Sequence, residues 1–585
     1  MSIAQNFPEI RPSLSLDFAN TKKLDSRITF SRPTSAVYYD GQTVTKAEEN
    51  LLTYSQEFDN ASAGAWGVVS TSVSANTTVA PDGTTTADTV TASAGTALKY
   101  IGQAKTLSGT YTFSVYAKAG THSIIQLFFG GANPAAGAFA NFNIAAGSGV
   151  VGSSAGGTAS IVDVGDGWYR CVFTGDLTGG SDVIVSFVNS TSATRAETTT
   201  STGTIILWGA QLEQRSSVTA YTPTTTQPIT LYQPALQTAA SGVARFDHNP
   251  VTQESLGLLI EEQRTNLKPY SEQFDNASWR GYINTNTTVT PNQAIAPDGT
   301  LTADLIQPTV AGSAATQISS DVGFSASTTY TFSCFYKLLP TSTNGVFTIY
   351  AYRTAGIFTV TVDLSAGTVT AILGSATIQD CGNGVYRVSA TGTTGSSVAG
   401  VSQLAWFSDS SGDTSVFVWG AQLEAGAFPT SYIPTVASQV TRSADSASMT
   451  GTNFSSWFRQ DEGTLYTEVF DSGLNPWAVS VSINDKFYFR QTGSTAFGVI
   501  IGDVGSGFTT TLPVKMIGTY SGNTSNSSAN GLTVQTASNL TALPSGTILN
   551  IGNYNGAAFY QNGHIKKLAY YPQRLSNTNL QALTS

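Results

Sequence analysis

Histidine and cysteine are nearly absent from this chain, at three residues each in 585. His122, His248 and His564 lie far apart in sequence, which argues against a histidine-rich metal centre. Cys171, Cys334 and Cys381 show no CxxC spacing, and Cys334 lies in the run TYTFSCFYK, so buried free thiols are expected. Charge is scarce too. Asp, Glu, Lys and Arg make up 11% of the chain, less than half the usual share. A net charge of −10 without any dense basic run argues against nucleic acid, because binding a phosphate backbone relies on clustered Lys and Arg. No stretch approaches the length of apolar chain that spans a bilayer, and the first residues hold no signal-peptide core. No membrane insertion is expected, and the protein is expected to be soluble and made in a cytoplasm.

What is abundant is small and β-forming. Glycine stands at 56, hydrophobic residues at 41% and aromatic residues at 10%, and the apolar positions fall in short alternating runs. In TYTFSVYAK, Tyr111, Phe113 and Val115 alternate with Thr112, Ser114 and Tyr116, the period-2 pattern of a strand. The length suggests three or four domains, and the composition suggests an all-β fold.

An internal repeat divides most of the chain. NLLTYSQEFDNAS, from Asn50, recurs as NLKPYSEQFDNAS from Asn266, and the match continues in order. Ala80–Thr84 with Thr86–Asp88 recurs as Ala296–Thr300 with Thr302–Asp304. Tyr111–Ser114 recurs at Tyr330–Ser333. GDGWYR, ending at Arg170, becomes GNGVYR, ending at Arg387. WGAQLE stands at Trp208–Glu213 and again at Trp419–Glu424, and each copy closes on Tyr-x-Pro, at Tyr221 and Tyr432. Two tandem β-sandwich modules are expected, at 50–224 and 266–435. Residues 1–49 are expected to be an N-terminal connector with little core of its own, and 225–265 a linker with a β-hairpin. A different strand-rich domain is expected at 445–585, ending in a short helix capped by Ser576.

The last 140 or so residues, with Gly563-His564-Ile565, Leu568-Ala569-Tyr570-Tyr571 and Arg574-Leu575-Ser576, resemble the concanavalin-A-like or laminin-G-like lectin sandwich. The succession NLLxYSxxFDN, APDGTxTAD, WYR, WGAQLE and YxPT, with the connector RFDHNPVTQESLGLLIEEQRTNL, resembles modules of bacteriophage tail and head-fibre proteins. Those modules have the jelly-roll form of carbohydrate-binding modules. The resemblance implies a virion structural protein of fibre or spike type, assembled in the host cytoplasm and adhering to host-surface polysaccharide. The alternatives are a head-decoration or tail component without receptor binding and, remotely, a polysaccharide-degrading enzyme. It also implies contact with other virion proteins through the N-terminal segment, whose deletion is expected to leave a folded protein, and a homo-oligomer, with a trimer favoured.

The candidate ligand-binding residues are aromatic, since a flat ring meets the apolar face of a pyranose: Trp66 and Trp279, which follow the two FDNAS strings, and Tyr554 and Tyr560 in the C-terminal domain. Trp208 and Trp419 sit inside the most regular strand and read as core; Trp457 and Trp477 are ambiguous. Carboxylate pairs for glycoside hydrolysis would be Glu213 with Glu424, or Asp163 with Asp166. The first pair repeats as a scaffold position does, and Asp166 becomes Asn383 in the second copy, so no catalysis is expected. No cofactor is expected. The resemblance to carbohydrate-binding jelly rolls implies a structural calcium with Glu57 as a ligand, but the second copy has Gln273 there.

Overall fold

The computed structural model describes residues 11–585 apart from 61, 63–64, 131–137, 280–286, 310–316, 343, 353–356, 397–401, 409–413, 471–477, 484–485, 492–494, 539, 541–545 and 555–558; Trp477 lies outside the described residues. The fold is all-β, built of antiparallel sheets. Its contacts divide the chain into two units, one of residues 46–232 with 293–295 and the other of 1–45, 233–292 and 296–585.

The first unit is module 1. Its ten-stranded sheet is held together by two 20-residue strands, Tyr100–Ala119 and Trp168–Phe187, that pair along their whole length. Leu52, Phe113, Val115, Phe129, Phe173 and Val185 fill the space enclosed. Module 2, in the second unit, divides the same plan between two sheets. Gln317–Val322 and Thr329–Leu338 stand where module 1 has its first long strand, and Val385–Thr393 and Ser402–Ser408 where it has its second.

The repeated strings are a hydrogen-bonding scaffold. Asn50 donates through Nδ2 to the carbonyls of Ala210 and Thr222 and accepts through Oδ1 from the amides of Leu52 and Leu212. Asn266 repeats all four bonds with Ala421, Ile433, Lys268 and Leu423. Within WGAQLE four of the six letters have a role of their own. Trp208 and Trp419 donate to Thr86 and Thr302. Gly209 and Gly420 sit at a β-bulge with φ of 59° and 66°, where an added Cβ would come within 3.0 Å of the Tyr116 or Phe335 ring. Gln211 and Gln422 accept from the amides of Thr222 and Ile433. Glu213 and Glu424, wholly buried, accept from the amide and hydroxyl of Thr219 and Thr430. The aspartates of TAD likewise each take two backbone amides, Asp88 those of Phe58 and Asn76, Asp304 those of Phe274 and Asn292. Because Asn266→Ala strands four buried backbone groups, each costing ~1–3 kcal/mol, it is expected to lower the unfolding temperature of the second unit well beyond what an exposed Asn→Ala change does, as calorimetry can read.

The C-terminal sandwich corrects the expected boundaries. Its strands come from three separated stretches of chain. One sheet runs in the order Arg245–His248, Ser255–Ile260, Gly563–Tyr571, Glu462–Phe470, Val514–Ser521, Thr524–Ala529 and Gln535–Ser538, and Leu14–Asp17 also pairs with Gly563–Tyr571. Ser255–Ile260 and Leu14–Asp17 lie end to end along that last strand, with Leu258 opposite Ile565 and Leu14 opposite Tyr570. The facing seven-stranded sheet begins with Thr29–Ser31 beside Ser446–Thr450. Leu14, Leu16, Phe18, Ile28, Leu258 and Ile260 are buried in the same core as Leu465, Phe487, Phe489 and Tyr570. The N-terminal segment and the hairpin of the linker are therefore parts of this sandwich, because their alternating apolar faces find their core there. Ser576 caps the final helix, Asn577–Thr584, as expected.

A buried ion cluster ties these stretches together. Arg32 and Arg245 pair with Asp445 at 3.0 and 2.6 Å, and Arg245 pairs with Glu261 at 2.8 Å. Arg442 adds a third guanidinium 3.5 Å from Glu261. Three cations against two carboxylates are balanced by backbone carbonyls: Arg32 donates to Thr34, Ala240 and Val243, Arg245 to Val37, and Arg442 to Glu262.

Candidate functional site

The two tryptophans expected to offer ligand platforms do not do so. Trp66 is 3% exposed, 4.6 Å from Phe58, with its indole N–H bonded to the Tyr54 carbonyl. Trp279 is also 3% exposed, stacked on Phe274 and bonded to the Tyr270 carbonyl, with Lys268 Nζ 3.9 Å from its ring centroid. In each module the indole packs against the phenylalanine that opens the FDNAS string, where its large apolar area is buried. Trp457 is buried as well.

Three aromatic side chains of the C-terminal sandwich, Tyr488, Tyr554 and Phe559, lie together and partly exposed. In Phe487–Gln491 the alternation places Phe487 and Phe489 in the core and leaves Tyr488 and Arg490 half-buried on the other face. Tyr554 follows Ile548–Ile551 and stands edge-on to Tyr488, with ring centroids 5.2 Å apart. Phe559 lies 6.0 Å from Tyr554. Asn553, next to Tyr554, is held to the sheet by Ser482, whose hydroxyl donates to the Asn553 carbonyl. Phe559 is 50% exposed and has φ of 51°, a left-handed conformation that is an outlier for so bulky a residue.

Of the expected tyrosines, Tyr554 belongs to this group. Tyr560 packs against the core instead, and burial, with Glu262 and Asp445 nearby, pushes its hydroxyl pKa up. Sequence reasoning missed Tyr488 and Phe559. The F-Y-F-R alternation could have revealed Tyr488; nothing local distinguishes Phe559, whose significance is its backbone conformation.

The carboxylates considered for catalysis have structural roles. Glu213 and Glu424 have no exposed surface. Asp163 accepts from the amide of Gly165, and Asp166 and Asn383 both hold the left-handed position of a turn, with φ of 50° and 52°. Glu57 and Gln273 are exposed in their equivalent turns. Among the described residues no three His, Cys, Asp or Glu side chains converge as metal ligands. The three cysteines are free and buried, and burial pushes the Cys334 thiol up to about 12. No helix among the described residues is long and apolar enough to cross a membrane.

No protein-family model matches the chain, and no curated protein does. Among solved structures, the N-terminal CBM22-1–CBM22-2 tandem domain of Paenibacillus barcinonensis Xyn10C aligns over 65% of this chain and 99% of its own, at 12% identity and a TM-score of 0.19. At that score the likeness bears on no residue of this chain.

Proposed function

We propose that this chain is a non-catalytic glycan adhesin of the virion fibre or spike type, and that Tyr488, Tyr554 and Phe559 form its sugar-binding platform. The observation that carries the reading is Phe559, a half-exposed aromatic ring in a left-handed backbone beside two tyrosines. Local strain of this kind persists where the surroundings enforce it, and it gathers at ligand sites. The rings supply flat apolar surface and the tyrosines add hydroxyls, a combination suited to a pyranose with one apolar face and a polar rim. The two modules act as spacers, since their tryptophans and repeated carboxylates are committed to the scaffold. The virion setting rests on the phage-like strings of the sequence, and a trimer would multiply weak sites into useful avidity.

Purified protein is expected to bind a subset of a glycan array and the matching host cells. Phe559→Ala is expected to weaken that binding about tenfold, the equivalent of ~1.4 kcal/mol, with the unfolding temperature unchanged. An array blank for the intact protein would remove the adhesin reading and favour a purely structural virion component. Binding unaffected by both Phe559→Ala and Tyr554→Ala would move the site elsewhere.

A further inference from the structure

On the outer face of the other sheet of the C-terminal sandwich, a pocket of about 300 Å³ opens beside the terminal helix, lined by Glu468, Lys515, Lys567 and Leu583 and by the largely buried Tyr466 and Tyr571. That volume is at the small end of the range for ligand sites, ~300–1,000 Å³, and suits a single sugar unit better than a chain. The register places Glu468 opposite Lys515 on one neighbouring strand and opposite Lys567 on the other. Side chains directly opposite in adjacent strands share a face, so Glu468 shares its face with Lys515 and Lys567. Glu468 accepts from the Tyr466 hydroxyl at 3.2 Å, and Lys515 donates to the main-chain oxygen of Ser585 at 2.5 Å. Asp17, opposite Lys567 on the far side, accepts from the amide of Asn20 and caps a helical turn. The Lys567 ammonium is left without a hydrogen bond or ion pair to any described residue.

We propose that this pocket is a second carbohydrate site, selective for a sugar bearing one carboxylate, such as a uronic acid. Lys567 takes the carboxylate by a charge-assisted hydrogen bond. The remaining acceptor capacity of Glu468 receives sugar hydroxyls. A phosphate dianion fits less well, because Glu468 opposes the second charge, and a neutral sugar leaves Lys567 unanswered. The inference rests on the glycan-binding reading but concerns a different face from the Tyr488, Tyr554 and Phe559 group.

The test is calorimetric titration of the full chain with methyl glucuronide and methyl glucoside, alongside Lys567→Gln, Lys567→Arg and Phe559→Ala variants. The expected result is saturable binding of the glucuronide, at least about tenfold tighter than the glucoside. Binding is expected to be lost in Lys567→Gln and retained in Lys567→Arg and Phe559→Ala. Glucuronide binding that survives Lys567→Gln, or that is lost in Phe559→Ala, overturns the pocket as the site. No glucuronide binding by a protein that still binds an array overturns the acidic-sugar pocket and leaves the adhesin reading standing, whereas silence with both overturns the two together.

Discussion

Deleting residues 1–31 is expected to prevent the C-terminal sandwich from folding, although that sandwich begins, by sequence, more than 400 residues later. The deletion removes Leu14, Leu16, Phe18 and Ile28 from the shared core. At ~1.5–3 kcal/mol for each large buried side chain, this loss is comparable with the whole net stability of a domain, about 5–15 kcal/mol. It also strips Leu14–Asp17 from the edge of the last strand and Thr29–Ser31 from the edge of the facing sheet. Exposed strand edges of that kind invite association with other chains. Limited proteolysis should show the region from about 445 onward cut early in the truncated chain while module 1 stays resistant. A truncated protein with an intact C-terminal fragment and an unchanged melting profile would contradict this account. The outcome separates the structure from the expectation of a detachable docking segment.

Asp445→Ala is expected to be the most damaging single substitution in the second unit. Asp445 is fully buried and holds both Arg32 and Arg245. Without it Arg32 loses its carboxylate partner, and Arg245 and Arg442 share Glu261 alone. Removing one partner of a buried pair costs about 3–5 kcal/mol, because the remaining charge is uncompensated in a medium that solvates it poorly. Denaturant unfolding of Asp445→Ala against wild type measures the loss, and a change under about 1 kcal/mol would mean that the cluster is not the lock described here. Acid should act on the same lock. Burial alone would push the Glu261 pKa up, but Arg442 and Arg245, with hydrogen bonds from Ser431, outweigh it and hold that pKa well below the usual carboxylate range. A group whose folded pKa is depressed stabilises the fold above its unfolded pKa, and that contribution is lost as pH falls below the ordinary glutamate range. The second unit should therefore lose stability on acidification in that window. Glu261→Gln should flatten the slope while lowering stability at neutral pH.

The parts of this fold legible in the sequence are those encoded twice. Asn50 and Asn266, the WGAQLE bulge and the paired TAD aspartates recur because each satisfies buried backbone groups, and recurrence marked the two modules. The C-terminal sandwich was legible only where its strands are contiguous. Leu14–Asp17 and Ser255–Ile260 read as connector because a single short strand reveals its period but not its partner, and the partners here lie hundreds of residues away. The site failed differently. Trp66 and Trp279 are chemically apt for a sugar, yet whether an indole faces solvent is decided by its packing against Phe58 or Phe274. Nothing local ties Lys567 to Glu468; the pairing register sets the two opposite each other.

The pairing of Leu14 with Tyr570 also sets an order of events. Ser13 bonds to a carbonyl 557 positions further along the chain, and at ribosomal speeds of ~5–20 residues per second that partner emerges roughly half a minute to two minutes after it. Both modules are complete by then and can fold as they are made, from contacts within their own stretches. The sandwich must wait for its last strand, so contacts of such long range make its closure the slow final step. During that interval the first strands are exposed apolar segments in search of an edge, and the nascent chain is at its most vulnerable to pairing with a neighbour.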